Sequence, residues 1–200
     1  MGFFLITVLV TRGVFLQIDR YIDQNLPYVA WLYYIAKAVD YLYLPVVVIM
    51  FVLIWHFWQK KQKFETFMLF LTFAAFVIPE LIIKPVSQVP CPPSFYAGVL
   101  ASKGLFQYPL FQKIALLETC YPSTHTTSYV VFFGYFIYLS LRYIKKLMLR
   151  RLIIAIFIMM IVLVGPAMVY VHGHWLSDVI AGYFLGFALL NFVLWLRIKA

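Results

Sequence analysis

Long apolar stretches separated by short polar ones dominate the pattern of the chain. Five of them approach the roughly 20 residues that a helix needs to cross about 30 Å of hydrocarbon. They cover residues 41–58, 66–83, 128–141, 152–171 and 176–196. A sixth stretch, residues 1–17, is shorter and is interrupted by Arg12, so it is either a further span or a weak anchor. The pattern predicts an all-α integral membrane bundle of five or six transmembrane helices.

Residues 18–40 follow a different pattern, because charged side chains interrupt a stretch rich in aromatic residues. This pattern favours an N-terminal helix that lies in the membrane interface over one that crosses the bilayer. The chain shows no internal repeat, linker or low-complexity segment. We therefore expect residues 1–200 to form a single membrane-embedded domain.

The composition excludes an ordinary soluble domain. The chain is 65% hydrophobic and only 12% charged, with a mean hydropathy of +0.94, against roughly half apolar and a quarter charged residues in soluble domains. The net charge of +9 does not indicate a nucleic-acid partner, because most of the cations abut the ends of predicted spans. These cations are Lys60, Lys61, Lys63, Arg142, Lys145, Lys146, Arg150, Arg151, Arg197 and Lys199.

Cationic flanks of this kind mark the cytoplasmic side of a membrane. By this rule residues 84–122 and 171–175 lie on the opposite, non-cytoplasmic side. We expect the partner surface to be the lipid bilayer itself. The expected location is the inner membrane of a bacterium, with those two segments facing the periplasm or the exterior.

Ionisable and hydroxyl side chains beside the predicted spans form one group, and such residues are functional candidates because they are costly to keep in a membrane. His174 and Asp178 are four residues apart, which puts them on one face of a helix. A carboxylate there would fix the tautomer of the imidazole and stabilise a positive charge on it. The pair therefore predicts a nucleophilic histidine.

The other members of the group fit the chemistry of a phosphate. His125, at the start of another span, could protonate a leaving group. Lys84 and Ser123, with backbone N–H groups at the start of that span, offer positive charge and hydrogen-bond donors. Two residues of the whole group have a structural alternative: Asp178 could cap its helix, and Lys84 could pair with Glu80 one turn earlier.

The order and spacing of these residues resemble the type 2 phosphatidic acid phosphatase superfamily, whose signature reads K-x6-R-P, P-S-G-H and S-R-x5-H-x3-D. The matching positions are Lys84, Pro92, Pro122, Ser123, His125, His174 and Asp178. The resemblance implies a six-helix membrane phosphatase without a metal or other cofactor. It also implies that His174 attacks phosphorus, Asp178 orients it, His125 protonates the departing group, and Lys84 and Ser123 hold the phosphoryl oxygens.

Two departures from the signature remove positive charge. The arginine of the first motif is Cys91, and the serine and arginine of the third are Ala167 and Met168. The glycine of the second motif is Thr124, whose hydroxyl would lie close to the phosphate. We expect His172 to replace part of the missing charge, with Lys103 and Lys113 as further candidates.

The two cysteines of the chain, Cys91 and Cys120, both fall in the segment predicted to lie outside the cytoplasm. In an oxidising compartment they are expected to pair. A bond that closes a loop of this size would contribute roughly 3 to 4 kcal/mol of stability in the chain-entropy model.

Three functions are compatible with the sequence. The first is a phosphatase acting on a lipid phosphate or pyrophosphate, such as phosphatidic acid, phosphatidylglycerophosphate, a polyprenyl pyrophosphate or a lipid A phosphate. The second is a phosphotransferase that passes a phospho-headgroup to an alcohol, for which a phosphodiester would need fewer guanidinium groups. The third is a non-catalytic lipid-binding protein that keeps the fold alone.

Overall fold

The computed structural model describes residues 2–87, 89–93 and 119–199. Within these ranges the chain is helical and contains no β-strand apart from one isolated bridge between Pro90 and Thr119. The helices are α1 (Gly2–Thr11), α2 (Leu16–Asn25), α3 (Ala30–Tyr41), α4 (Tyr43–Gln59), α5 (Lys63–Ser87), α6 (Thr124–Tyr143), α7 (Leu147–Tyr170) and α8 (Leu176–Lys199). The predicted all-α class is confirmed.

Three stretches of the described chain combine the length and hydropathy of a membrane span, namely α7, α8 and the 30 residues of α3 with α4. The protein is therefore an integral membrane protein. The helices α5 and α6 have 25 and 20 residues, and at about 1.5 Å per residue both reach the thickness of a bilayer. The count of five or six spans stays a prediction.

The N-terminal region differs in detail from the sequence prediction. The expected interfacial helix over 18–40 is divided, because α2 ends before Pro27 and α3 continues almost directly into α4. A proline lacks a backbone N–H and disfavours helical geometry in the residue before it. The helices α1 and α2 meet at a bend of 79°, and Gly13 in that bend has a φ of 71°.

Helix α6 is the central helix of the bundle. It packs most extensively against α7 and α8 and also contacts α5. Its side chains are buried around the whole circumference in the middle of the helix, including Tyr129, Phe132 and Tyr135. A helix that is apolar on every side is stable only when other helices surround it, so the sequence of α6 accounts for its place.

Two glycines of α8 permit the close approach of α6. A Cβ atom added to Gly182 would lie 2.8 Å from the Ser123 carbonyl oxygen, and one added to Gly186 would lie 2.8 Å from Cβ of Val130. Contact between small residues replaces the hydrophobic effect as an attraction between helices in lipid. The two glycines are four residues apart, a G-x-x-x-G spacing that is typical of closely packed helices.

Candidate active site

The segment between α7 and α8 carries His172, Gly173 and His174. Its backbone is tied to the last turn of α7, because the Met168 carbonyl accepts hydrogen bonds from the amides of Gly173 at 2.9 Å and His174 at 3.3 Å. These bonds satisfy a carbonyl that the helix end leaves without a helical partner. The backbone of the segment that carries both histidines is therefore held in place by α7.

The imidazole of His174 is held by a main-chain carbonyl. Its Nδ1 lies 3.0 Å from the carbonyl oxygen of Cys120, and the side chain is 8% exposed. A carbonyl oxygen can only accept, so Nδ1 carries the proton and the lone pair is on Nε2. This is the tautomer that a nucleophilic Nε2 requires. The residue Cys120 was not predicted to act in this way, because no side-chain pattern marks a backbone carbonyl.

Asp178 lies completely buried one helical turn after His174. Its Oδ2 accepts a hydrogen bond from the Trp175 amide at 3.1 Å and lies 3.9 Å from Nδ1 of His174. Its Oδ1 has no hydrogen-bond partner among the described residues. The carboxylate thus caps α8 and also lies beside His174, so the two sequence interpretations of this residue are compatible.

His125 lies in the first turn of α6 and faces the second imidazole. The ring centroids of His125 and His174 are 6.0 Å apart, and the ring planes meet at 63°. Residues separated by about 50 positions in the sequence are therefore neighbours, as the resemblance implied. Two imidazoles at this distance can act on the same small group from two directions.

Ser123 caps α6. Its Oγ accepts hydrogen bonds from the amide of Thr126 at 3.4 Å and from the Thr126 hydroxyl at 3.1 Å, and its own amide donates to the Asp178 carbonyl at 3.0 Å. The residue is completely buried, whereas the neighbouring Thr124 is half-buried. Ser123 thus joins the beginnings of α6 and α8, and a phosphate contact by either hydroxyl stays a prediction.

Lys84 lies in the last turn of α5. Its carbonyl accepts hydrogen bonds from the hydroxyls of Ser87 at 3.0 Å and Thr119 at 2.9 Å. These bonds join the end of α5 to the segment that precedes α6. The end of α5 that carries Lys84 therefore lies beside the chain that leads to Ser123 and His125, and a phosphate contact by its ammonium group stays a prediction.

The predicted disulfide is confirmed, since Cys91 and Cys120 are bonded. The Cys120 amide also donates to the Val89 carbonyl at 3.2 Å, and the Cys120 sulfur lies 3.4 Å from the Gly173 carbonyl oxygen. The disulfide sulfur carries no hydrogen, so the latter is a packing contact. The bond fixes the residue whose carbonyl oxygen contacts His174.

His172 has a partner that the sequence did not predict. Its Nδ1 lies 2.7 Å from Oδ1 of Asp23 on α2, so this nitrogen is directed at a carboxylate. A role for His172 in phosphate binding stays a prediction. The other two candidate cations, Lys103 and Lys113, lie outside the described residues.

Sequence reasoning missed the contribution of α2. Asp19 is buried and bonds Ser177 at the beginning of α8. Arg20 lines a cavity of about 530 Å³ together with Cys91 and Trp175. The charges in residues 18–40 were interpreted as those of a helix lying in the membrane interface, and only the contacts of Asp19 and Asp23 with the α7–α8 segment reveal the further role.

Imidazole, carboxylate and hydroxyl groups meet in this site. Within the described ranges, no three side chains of His, Cys, Asp or Glu are grouped as metal ligands would be.

Tyr121 connects the site to the N-terminal helix. Burial raises the pKa of Tyr121 to about 12, so its phenol keeps its proton, and its oxygen lies 2.7 Å from the Thr7 hydroxyl of α1. This bond attaches the N-terminal helix to the residue that follows the disulfide.

Comparisons with known proteins agree with this architecture. The fold is similar to a structure described as the first transmembrane PAP2 type phosphatidylglycerolphosphate phosphatase from Bacillus subtilis, with a TM-score of 0.74 and 20% sequence identity, covering 99% of this chain and 93% of the other. No curated protein matches the chain. The sequence model of the PAP2 superfamily matches residues 65–200, which include the positions that carry the resemblance. The chain belongs to the PAP2 superfamily.

Proposed function

We propose that this protein is a membrane phosphatase that removes phosphate from a lipid phosphate or pyrophosphate through a phosphohistidine intermediate. The observation that carries the proposal is the pair of facing imidazoles, one of which has its Nδ1 proton held by the Cys120 carbonyl. A lone pair on Nε2 of His174 is what attack on phosphorus requires. Membership of the PAP2 superfamily supports the same chemistry.

In the first step Nε2 of His174 attacks phosphorus, and the bond from phosphorus to the lipid oxygen breaks. Protonated His125 gives its proton to the departing alkoxide or phosphate. In the second step water attacks the phosphohistidine, His125 accepts a proton from that water, and the bond from phosphorus to nitrogen breaks. Inorganic phosphate leaves, and both histidines return to their starting states.

Positive charge on the phosphorylated imidazole would be stabilised by Asp178. Its Oδ2 lies 3.9 Å from Nδ1 of His174, and its Oδ1 has no hydrogen-bond partner among the described residues. A buried carboxylate without full hydrogen bonding is costly in the resting protein. Its negative charge becomes favourable when the neighbouring ring turns cationic.

The charge of the phosphoryl oxygens would be balanced by Lys84, with Thr124 and the amides of the first turn of α6 as donors. The family guanidinium positions are Cys91 and Met168 in this chain, and one charge-stabilising donor is often worth about 3 kcal/mol in a barrier. The candidate substrates are phosphatidic acid, phosphatidylglycerophosphate, a lipid pyrophosphate and lipid A phosphates. The apolar tail would stay in lipid while the headgroup reaches His174.

The test is phosphate release by the purified protein in detergent, with chelator present, from a panel of these lipids. His174→Ala is expected to lower the rate on the order of 10⁴-fold or more, as loss of a nucleophile does. His56→Ala is the matched control, because His56 lies in the last turn of α4 close to Lys60, at the end of the bundle away from His125 and His174. Release of phosphate that depends on His174 and survives chelation supports the proposal.

A second arm of the experiment separates hydrolysis from transfer. Where no lipid of the panel releases phosphate, labelled phospholipids are supplied together with alcohol acceptors. Transfer that depends on His174 would replace the phosphatase by a phosphotransferase. Failure of both arms would leave the non-catalytic alternative.

A further inference from the structure

The short helix α2 presents two carboxylates to the segment that carries the proposed nucleophile. Asp19 and Asp23 are one turn apart and thus lie on the same face of the helix. Asp19 is buried and Asp23 is half-buried, whereas Gln17, Arg20 and Gln24 on the same helix are exposed. Burying acidic groups is costly unless they are hydrogen-bonded or paired, so the partners of the two carboxylates are informative.

Asp19 uses both oxygens on a single residue of α8. Its Oδ1 accepts from the Ser177 amide at 3.0 Å, and its Oδ2 accepts from the Ser177 hydroxyl at 2.6 Å. The amides in the first turn of a helix have no partner inside the helix. A carboxylate from another helix therefore completes the beginning of α8, where Asp178 already satisfies the Trp175 amide.

Asp23 holds the other end of the same segment. Its Oδ1 lies 2.7 Å from Nδ1 of His172, and His172 has a φ of 55°. Residues other than glycine adopt this left-handed conformation at an energetic cost and generally where their surroundings impose it. His172 thus combines a strained backbone with a side-chain contact to Asp23, and this contact is part of the surroundings that hold the backbone.

His174 lies between these two attachments, with the Cys120 carbonyl as a third. We propose that α2 positions the nucleophile, with Asp19 and Asp23 acting as positioning residues that fix both ends of residues 172–177. This inference rests on the proposed function of His174. Its physical reason is that displacing a reacting atom by about 1 Å can cost on the order of a hundredfold in rate.

The first experiment compares kcat and KM of Asp19→Asn and Asp23→Asn with the wild type, using any lipid that the wild type hydrolyses. Asparagine keeps the size and one acceptor oxygen, so the fold is expected to survive. We expect kcat to fall by about ten- to a hundredfold, with KM nearly unchanged, because neither side chain is placed on the substrate. Gln17→Ala is the control on an exposed position of the same helix and is expected to match the wild type.

The second experiment exchanges the partners. Asp23→His combined with His172→Asp restores the pair in reverse, and aspartate tolerates a positive φ better than most residues. We expect the double variant to recover at least part of the kcat that is lost when Asp23→His or His172→Asp is made alone. Wild-type kcat in both asparagine variants, a change confined to KM, or no recovery in the exchanged pair would overturn the inference.

A third measurement does not depend on activity. The chain has four histidines, so the NMR signals of ¹⁵N-labelled histidine can be assigned from single His→Gln variants. We expect Asp23→Asn to shift the signals of both His172 and His174. An unchanged His174 signal would overturn the positioning role even if the protein hydrolyses lipids, whereas a shifted signal without any activity would refute only the proposed function.

Discussion

The two ends of the helix bundle bury acidic residues in different ways. At one end Glu65 of α5 lies 2.6 Å from Nη2 of Arg197 on α8 and 3.7 Å from Nε of Arg142 on α6, and it accepts a hydrogen bond from Tyr135 at 3.3 Å. At the other end Asp178 faces a histidine and an amide, and one of its oxygens has no hydrogen-bond partner among the described residues. Both carboxylates are buried.

The difference separates stability from chemistry. The Glu65 cluster neutralises the acid with two permanent cations and joins three helices. The carboxylate of Asp178 lies instead beside a group whose charge changes during the proposed reaction. A buried acid without a permanent partner lowers stability, and proteins retain such groups at functional sites.

Asp178→Asn neutralises the buried acid at the histidine end of the bundle. The amide oxygen can still cap the Trp175 amide, but the negative charge beside His174 is lost. We expect kcat/KM to fall by about 10³- to 10⁴-fold, as when the acid of a catalytic triad is made neutral, with the thermal unfolding temperature equal to or above that of the wild type because a buried charge is removed. Activity within tenfold of the wild type would show that the charge is not needed.

Glu65→Gln tests the opposite end. Removing this charge leaves the Arg197 guanidinium, which is 14% exposed, without its acid. We expect a loss of about 3 to 5 kcal/mol of stability, the usual cost of breaking a buried pair. Thermal unfolding in detergent measures this loss, and phosphate release per folded molecule should stay near the wild-type value. A large loss of kcat with normal unfolding would refute the structural role.

Removal of the disulfide lies between the two cases. In Cys91→Ser combined with Cys120→Ser, the cross-link over a sequence separation of 29 is lost, at a cost of roughly 3 to 4 kcal/mol. Because the Cys120 carbonyl holds His174, we also expect kcat to fall. The two measurements are unfolding and turnover below the unfolding temperature. Normal turnover would show that the backbone at Cys120 keeps its place without the bond.

Gly182→Ala tests whether the close contact between α6 and α8 is needed for turnover. The new Cβ would lie 2.8 Å from the Ser123 carbonyl oxygen, so the helices must separate near the histidines. We expect a cost of about 1 to 3 kcal/mol from overpacking and a fall in turnover. The matched change is Gly134→Ala, whose Cβ would lie nearest to the flexible side chain of Leu190, and which should leave turnover unchanged.

The site was predictable from sequence wherever it depends on side chains at fixed spacing. His125, His174 and Asp178 carry chemistry that apolar helices rarely tolerate, and their spacing matches one family. The disulfide followed from two cysteines in one compartment. The roles of α2 and of the Cys120 carbonyl were not predictable, because long-range packing brings them to the site and a backbone carbonyl has no signature in the sequence.

The sequence alone predicts that this protein is helical, lies in a membrane and groups ionisable residues at the ends of its helices. Hydrophobic length and charge at the helix ends are local properties, so a single chain is enough to read them. The packing of the helices was needed to identify the atoms that hold the proposed nucleophile. It was also needed to show that the predicted interfacial segment consists of α2 and the beginning of a span. The physical reason is that hydrogen bonds over more than 100 residues, such as the bond from Ser177 to Asp19, exist only after the helices have packed.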